Sequence, residues 1–140
     1  MTTHLIVGVD GSDTARHAAQ TAASLAVRLG GHLHVIMACD DQETVEVGVG
    51  SDRLLINRAD EAAAVAAEVA RSLHRAGLSI DSGARYGKPA DVLCEEARRY
   101  DDVLIVVGNK RVQGPARLLG SVASAVLQHA PCDVYVVKTT

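Results

Sequence analysis

One glycine-rich segment near the C-terminus combines glycines, cationic side chains and a serine in a pattern typical of phosphate binding. Its glycines would let the backbone approach a ligand closely, and a helix that begins at Gly120 and Ser121 would direct free N–H groups toward an anion. Lys110, Arg111 and Arg117 bring positive charge into a net acidic chain. On spacing alone two interpretations stay open: a phosphate-binding loop, or a solvated turn whose serine caps a helix. The candidate contact residues here are Gly108, Asn109, Lys110, Arg111, Gly114, Gly120 and Ser121.

A second candidate lies in the turn Asp10-Gly11-Ser12, which directly follows the apolar run His4–Val9. If this run and the later run Asp102–Val107 are neighbouring parallel strands, the turn and the glycine-rich segment meet at one edge of the sheet. Asp10 would then border the ligand crevice, or it would serve as a turn residue that caps the following helix. The residue types do not distinguish these two roles.

The remaining polar clusters are weaker candidates. His32 and His34 lie two residues apart, and therefore on one face of a strand, as two metal ligands would. No matching third ligand is evident in the sequence, so we expect no metal site. Cys94 is expected in the core. Three acidic residues of the same helical segment are expected on its solvated face: Asp91, Glu95 and Glu96. No nucleophile–base or acid–base pair is evident, so the sequence predicts no catalytic residue.

The elements that would position these residues alternate regularly. Short apolar runs predict strands, and runs with helical spacing predict helices between them. The predicted strands are His4–Val9, His32–Ala38, Leu78–Tyr86, Asp102–Val107 and Asp133–Lys138; the predicted helices are Thr14–Leu29, Asp52–Arg75, Pro89 to about Tyr100, and Gly120–His129; residues 40–51 and 108–119 are expected to form loops. This alternation predicts an α/β fold with a parallel sheet and helices on both faces. One common strand order, 3-2-1-4-5, places a ligand crevice between strands 1 and 4.

Length, composition and net charge limit the kinds of protein to which this chain can belong. The chain has 140 residues, of which 48% are hydrophobic, and it contains neither Phe nor Trp. This length predicts a single domain, residues 1–140, with a core of aliphatic residues and alanine. A net charge of -3 argues against general nucleic-acid binding. Three widely spaced cysteines, no signal peptide pattern and no apolar run long enough to span a membrane predict a cytoplasmic protein with reduced thiols.

Five stretches of the chain resemble the universal stress protein family, in the family's order: VGVDGS, LHVIMA, YGKPADVL, VVGNKRVQGPARLLGS and APCDVYVVK. The resemblance covers almost the whole chain. It implies a Rossmann-like three-layer α/β sandwich, related to the adenine nucleotide alpha hydrolases, with a five-stranded parallel sheet. It also implies a stress-response protein that binds ATP, or AMP or cyclic AMP in its place.

The family's nucleotide motif is G-x2-G-x9-G-(S/T), and this chain departs from it. Gly108 matches the first glycine, and Gly120-Ser121 match the closing pair. The second glycine position holds Arg111, and eight residues rather than nine separate it from Gly120. Arg111 would either obstruct the approach of a triphosphate or replace lost N–H contacts with a bidentate phosphate contact.

The resemblance also assigns contacts to the adenosine. It places Asp10 beside the ribose and phosphates, where Mg²⁺ is a candidate companion of the nucleotide. The backbone of Val35 would contact the adenine, and Val9 would lie on the same floor. Val122 would offer its backbone N–H to phosphate.

Two functions of different classes follow from these observations. The first is an adenine-nucleotide-binding stress-response sensor or adaptor with at most slow ATP hydrolysis. The second is a protein–protein adaptor of the same fold that has lost nucleotide binding through its altered phosphate loop. A phosphate-ester enzyme of a related fold ranks below both, because it would need a catalytic base that the sequence does not reveal.

The last predicted strand bears on assembly. In the order 3-2-1-4-5 it is an edge strand, and Val134–Val137 carries no charge or proline that would block pairing with another chain. The edge and the family resemblance together predict a homodimer formed through this strand.

Overall fold

The computed structural model describes residues 2–39, 51–110 and 119–139. Strands and helices alternate along the chain. The strands are β1 (His4–Val9), β2 (His32–Cys39), β3 (Ser79–Tyr86), β4 (Val103–Lys110) and β5 (Asp133–Thr139), and the helices are α1 (Asp13–Leu29), α2 (Ser51–Leu73), α3 (Pro89–Ala97) and α4 (Ser121–His129).

The strands form one parallel sheet with the order β3-β2-β1-β4-β5. This confirms the predicted fold class and strand order. Consecutive strands are added on one side of β1 as far as β3, and the chain then crosses to β4 on the other side. The carboxyl ends of β1 and β4 therefore border the crevice at which parallel α/β sheets bind ligands.

The core forms two layers because successive strand residues point to opposite faces of the sheet. On one face Leu5, Val7 and Leu33 pack with the alanine stripe of α1 and with α2. On the other face Ile6 and Ile105 pack with α3 and α4. Aliphatic side chains and alanine thus fill both layers, as a chain without Phe and Trp requires.

The structure corrects the predicted end of the fourth strand. The apolar run stops at Val107, yet β4 continues through Lys110 because its last three residues pair with Val137–Thr139 of β5. Gly108, Asn109 and Lys110 therefore belong to a strand and not to the predicted loop. The third helix is shorter than predicted: α3 ends at Ala97, and the N–H groups of the next three residues donate to carbonyls three residues earlier, as in a tighter turn.

The helices begin and end where local chemistry favours it. The Ser12 side chain accepts a hydrogen bond from the Ala15 N–H and caps α1, and Gly30, with a φ of 63°, ends that helix in the left-handed conformation. Pro89 occupies the first turn of α3, where no N–H is needed. None of the helices in the described ranges is long and apolar enough to cross a membrane. Most of the predicted loop 40–51 lies outside the described residues.

Candidate functional site

A cavity of about 390 Å³ lies at the carboxyl ends of the central strands. The N-termini of α1, α3 and α4 surround it, so three helix dipoles direct their positive ends to this side of the sheet. Its lining consists of Gly8, Val9, Asp10, Ser12, Thr14, Ala15, Ile36, Ala38, Pro89, Val92, Leu93, Val107, Gly108, Gly120, Ser121, Val122 and Ala123. This volume falls within the range of pockets that bind small organic ligands.

The turn after β1 forms one wall. The Ser12 N–H donates to Asp10 Oδ1 over 2.9 Å, which closes a local turn, and Gly11 adopts a φ of 85° that favours glycine. Ser12, one step further on, caps α1 through its side chain. Asp10 therefore has a structural role in the turn and also lines the cavity, and the two roles are compatible because the carboxylate has a second oxygen.

The first turn of α4 forms the opposite wall. Gly120 is the N-cap residue, and no side chain caps this helix. The Gly120 N–H itself donates to Asn109 Oδ1 over 2.7 Å, so β4 holds the start of the helix in place. The first N–H groups of a helix have no intrahelical partner. Ser121 and Val122 therefore present backbone donors, and Ser121 an exposed hydroxyl, beside the cavity.

Gly108 has a packing role that the motif did not reveal. A Cβ at this position would lie 3.2 Å from both Ala18 Cβ and the Thr14 backbone oxygen. These distances are shorter than ordinary van der Waals contact, so α1 can lie this close to β4 only because residue 108 has no side chain. The same close approach brings the Thr14 turn of α1 to the cavity.

The floor of the cavity is apolar. Ile36 and Ala38 of β2, Val107 of β4, and Val92 and Leu93 of α3 line it. Val35 does not line the cavity: its side chain is fully buried on the opposite face of the sheet, under α1 and α2. The sequence interpretation missed the contribution of α3, although the Gly87-Lys88-Pro89 start of this helix at a carboxyl strand end is the signal that could have revealed it.

The structure brings most of the candidate residues together. Val9, Asp10, Gly108, Gly120, Ser121 and Val122 line one cavity. Asn109 supports the cavity wall because its side-chain oxygen accepts a hydrogen bond from the Gly120 N–H. Lys110, the next residue, is the last residue of β4. Arg111 and Gly114, like Arg117, lie outside the described residues.

The other polar candidates fall elsewhere. The expectation that Glu96 is solvated is wrong: its side chain is 6% exposed and accepts hydrogen bonds from Arg85 and Arg99, whereas Asp91 and Glu95 are exposed. Cys94 is buried as expected, and burial raises the pKa of its thiol. His32 and His34 do have a third potential ligand, Asp81 of β3, which sequence spacing could not show because the register of β2 and β3 brings it there.

Comparison with known proteins agrees with this architecture. The model of the universal stress protein family matches residues 1–138. A universal stress protein of Methanocaldococcus jannaschii is 30% identical over 137 residues, which cover 96% of this chain and 81% of that protein. Among solved structures, UspA from Lactobacillus plantarum is 27% identical with a TM-score of 0.77, covering 96% of this chain and 97% of that one.

A further solved structure is relevant to the cavity. It is a universal stress protein in complex with cAMP, 28% identical to this chain, with a TM-score of 0.66 and coverage of 99% of this chain and 98% of that one. The match of the family model over nearly the whole sequence, together with the similarity to these solved structures, leads to one conclusion. The chain belongs to the universal stress protein family.

Proposed function

We propose that this protein is a cytoplasmic, single-domain nucleotide-binding protein of the stress response, which acts as a sensor or adaptor and binds an adenine nucleotide between Asp10 and the first turn of α4. The observation that carries the proposal is a cavity with an apolar floor and an anion-attracting wall within one space of about 390 Å³. A nucleotide needs both parts, because its base is flat and apolar on its faces while its phosphate is anionic. A similar family member in complex with cAMP supports the choice of adenine.

The chemistry of the lining assigns the parts of the ligand. The base would rest against the aliphatic floor made by β2 and α3, where Val92 and Leu93 are buried. The ribose hydroxyls would face the Asp10 carboxylate, which accepts hydrogen bonds. The phosphate would lie at the N-terminus of α4, where the N–H groups of Ser121 and Val122 and the Ser121 hydroxyl can donate to it.

The lining also bears on catalysis. Among the described residues around the cavity, Asp10 has the one ionisable side chain. A single carboxylate already engaged by the Ser12 N–H is a poor activator of water, so we expect hydrolysis of ATP to be slow or absent. When a triphosphate is bound, Asp10 could contribute one oxygen to a Mg²⁺ ion held mainly by phosphate oxygens and water.

Calorimetry with adenosine, AMP, cyclic AMP and ATP tests the proposal, and the variant Ser121→Asp makes the test specific. An aspartate at the first position of a helix stabilises the helix dipole, so the variant should fold, yet its charge should repel a phosphate. The matched control is Ser121→Asn, because asparagine has nearly the shape of aspartate without its charge. We expect Ser121→Asp to weaken AMP binding at least about 10-fold and to leave adenosine binding unchanged.

The result that would contradict the proposal is equally clear. If none of the four ligands at millimolar concentration raises the melting temperature or releases heat, the cavity does not bind adenine nucleotides. A purified sample adds a direct check. The chain has no Trp and three Tyr, so a co-purifying nucleotide would dominate its ultraviolet spectrum.

The departure from the family motif favours a second candidate function. Arg111 replaces the second glycine, and the segment before Gly120 is one residue short. If these changes abolish nucleotide binding, the protein is an adaptor that acts through protein contacts alone. Arg111→Gly distinguishes the cases: a gain of ATP affinity means that the arginine obstructs the site, and a loss means that it contacts phosphate.

We further propose a homodimer formed through β5. This strand ends the described sheet order, and the side chain of Tyr135 on it is 44% exposed. Sedimentation or light scattering should give the mass of two chains, and Tyr135→Glu should shift it toward one. Leu29→Glu, at an exposed position of α1, is the control. A wild-type protein with the mass of one chain at high concentration would contradict the dimer.

A further inference from the structure

A group of histidines lies at the end of the sheet opposite the cavity. His4 begins β1, while His32 and His34 lie in the first half of β2. In the register of the sheet, His4 is beside His32 and His34 is beside Asp81 of β3. All four side chains share the face covered by α3, because residues two apart on a strand point the same way. Along β2, His34 precedes Ile36 of the cavity floor by two residues, or roughly 7 Å, and His32 precedes it by four residues, or roughly 13 Å.

The carboxylate of Asp81 joins the two β2 histidines. Its Oδ2 lies 2.8 Å from His32 Nε2, and its Oδ1 lies 3.0 Å from His34 Nδ1. One ring nitrogen of each histidine and one carboxylate oxygen lie within 4.8 Å of one another. With Zn–N and Zn–O bonds of about 2.0–2.1 Å, the donors of a tetrahedral site lie roughly 3.3–3.5 Å apart. Small side-chain movements would therefore let the three donors share one ion.

The other ring nitrogens already have partners. His34 Nε2 lies 2.9 Å from His4 Nδ1, and His32 Nδ1 lies within hydrogen-bond distance of Ser79 Oγ. The His4 ring is stacked at a centroid distance of 3.9 Å on Tyr100, the residue that follows the α3 turn. Metal-bound histidines in proteins characteristically donate their second N–H to such a partner, which sets the tautomer and orients the ring. The support expected around a metal site is therefore in place.

Burial and charge also suit a cation here. The His34 side chain is 8% exposed, and this burial lowers its pKa despite the nearby Asp81 carboxylate, so the ring is neutral near pH 7 and can donate a lone pair. Burial would raise the pKa of Asp81, but hydrogen bonds from His32 and His34 outweigh it and hold that pKa below its usual value. Asp81 is 53% exposed, which leaves a solvent path to the group.

We propose that His32 Nε2, His34 Nδ1 and the Asp81 carboxylate form a Zn²⁺ site with a fourth position open to water. Two imidazoles and one carboxylate match the preference of Zn²⁺ and are too rich in nitrogen for Mg²⁺ or Ca²⁺. In the metal-free protein His32 Nε2 and His34 Nδ1 donate to Asp81. When the ion binds, each neutral histidine carries its proton on the nitrogen that faces Ser79 or His4, so binding requires a shift of tautomer but no net loss of a proton. The ion would join β2 to the edge strand β3.

Calorimetric titration of Zn²⁺ into metal-stripped protein tests the site. We expect one ion per chain, with affinity reduced more than about 100-fold by Asp81→Asn or His32→Gln and about 10–100-fold by His4→Phe, which removes a supporting hydrogen bond while retaining a ring on Tyr100. His17→Gln in α1 and His74→Gln just after α2, both at exposed positions, are the matched controls and should leave the affinity unchanged.

Two further readouts make the outcome decisive. Co²⁺ should give the visible bands of a four-coordinate nitrogen and oxygen site without thiolate charge-transfer absorption, which excludes the cysteines as ligands. Far-ultraviolet circular dichroism checks that each variant folds. Absence of one-to-one Zn²⁺ binding, or equal affinity in wild type and a folded Asp81→Asn or His32→Gln variant, would overturn the proposal. Ser121→Asp should retain Zn²⁺ binding, so this site and the nucleotide site can fail separately.

Discussion

Replacing Gly108 with alanine should destabilise the protein because α1 lies against this residue. The new Cβ would meet Ala18 Cβ and the Thr14 backbone oxygen at 3.2 Å and Thr14 Cγ2 at 3.3 Å. Two of these three atoms, the backbone oxygen and the alanine Cβ, cannot move without the helix. To restore contact distances near 3.5–4.0 Å, α1 must recede from β4 by a few tenths of an ångström.

Overpacking of this kind typically costs about 1–3 kcal/mol of the free energy of unfolding. For a chain of this size each kcal/mol corresponds to about 2–4 °C, so we expect the melting temperature to fall by roughly 2–12 °C. Urea unfolding monitored by circular dichroism measures the loss in free energy directly. Gly83→Ala in β3 is the matched control, because the atoms nearest to its new Cβ belong to the flexible end of the Arg85 side chain.

A double-mutant cycle with Ala18→Gly separates contact from propensity. Removing the Ala18 Cβ relieves one of the three close contacts. The double variant should therefore lose less free energy of unfolding than the two single variants lose in sum, by at least about 0.5 kcal/mol. Additive losses, or a Gly108→Ala protein as stable as the wild type, would refute the packing role of Gly108.

Three further predictions follow from buried groups. In metal-free protein the lowered pKa of His34 means that the unfolded chain binds more protons than the folded chain below about pH 6.5. The free energy of unfolding should therefore fall on acidification below that pH, by up to about 1.4 kcal/mol per pH unit. His34→Gln should flatten this slope in urea unfolding, and an equally steep slope would contradict the prediction. Burial raises the pKa of Cys94 and Cys132, so both thiols should react with iodoacetamide more slowly than a free cysteine at pH 7.5, and equal rates would contradict this. Glu96→Ala should cost about 1–3 kcal/mol in thermal or urea unfolding because it leaves two arginines without their shared carboxylate, whereas Glu95→Ala, with a 76% exposed side chain, should cost less than about 1 kcal/mol.

Local pattern predicted the five strands, and their observed order was one common solution for such a pattern. Apolar runs such as His4–Val9 predicted buried parallel strands, and the alternation with helices restricted the topology to a few strand orders that include the observed one. The end of β4 was missed because Gly108, Asn109 and Lys110 are not apolar. They belong to the strand through pairing with β5, which is a non-local interaction.

The sequence predicted those parts of the site that have a local signal along the chain. Asp10 and the Gly120-Ser121 pair were identified because turns and helix starts carry local signals. The α3 part of the cavity and the place of Asp81 beside His34 depend on register and layer packing, which spacing along the chain does not encode. Glu96 is buried beside Arg85 of β3 and beside Arg99, which lies three residues further along the chain, and a helical pattern alone does not predict the contact with Arg85.

The most direct test of the central claim is to follow the backbone amide signals of the protein by NMR while AMP is added. If the nucleotide binds as proposed, the amides of Ser121 and Val122 and those of the Asp10–Ser12 turn should shift most, in a saturable manner and with one ligand per chain. Unchanged amide signals at millimolar AMP, or shifts confined to residues away from these two walls, would contradict the account.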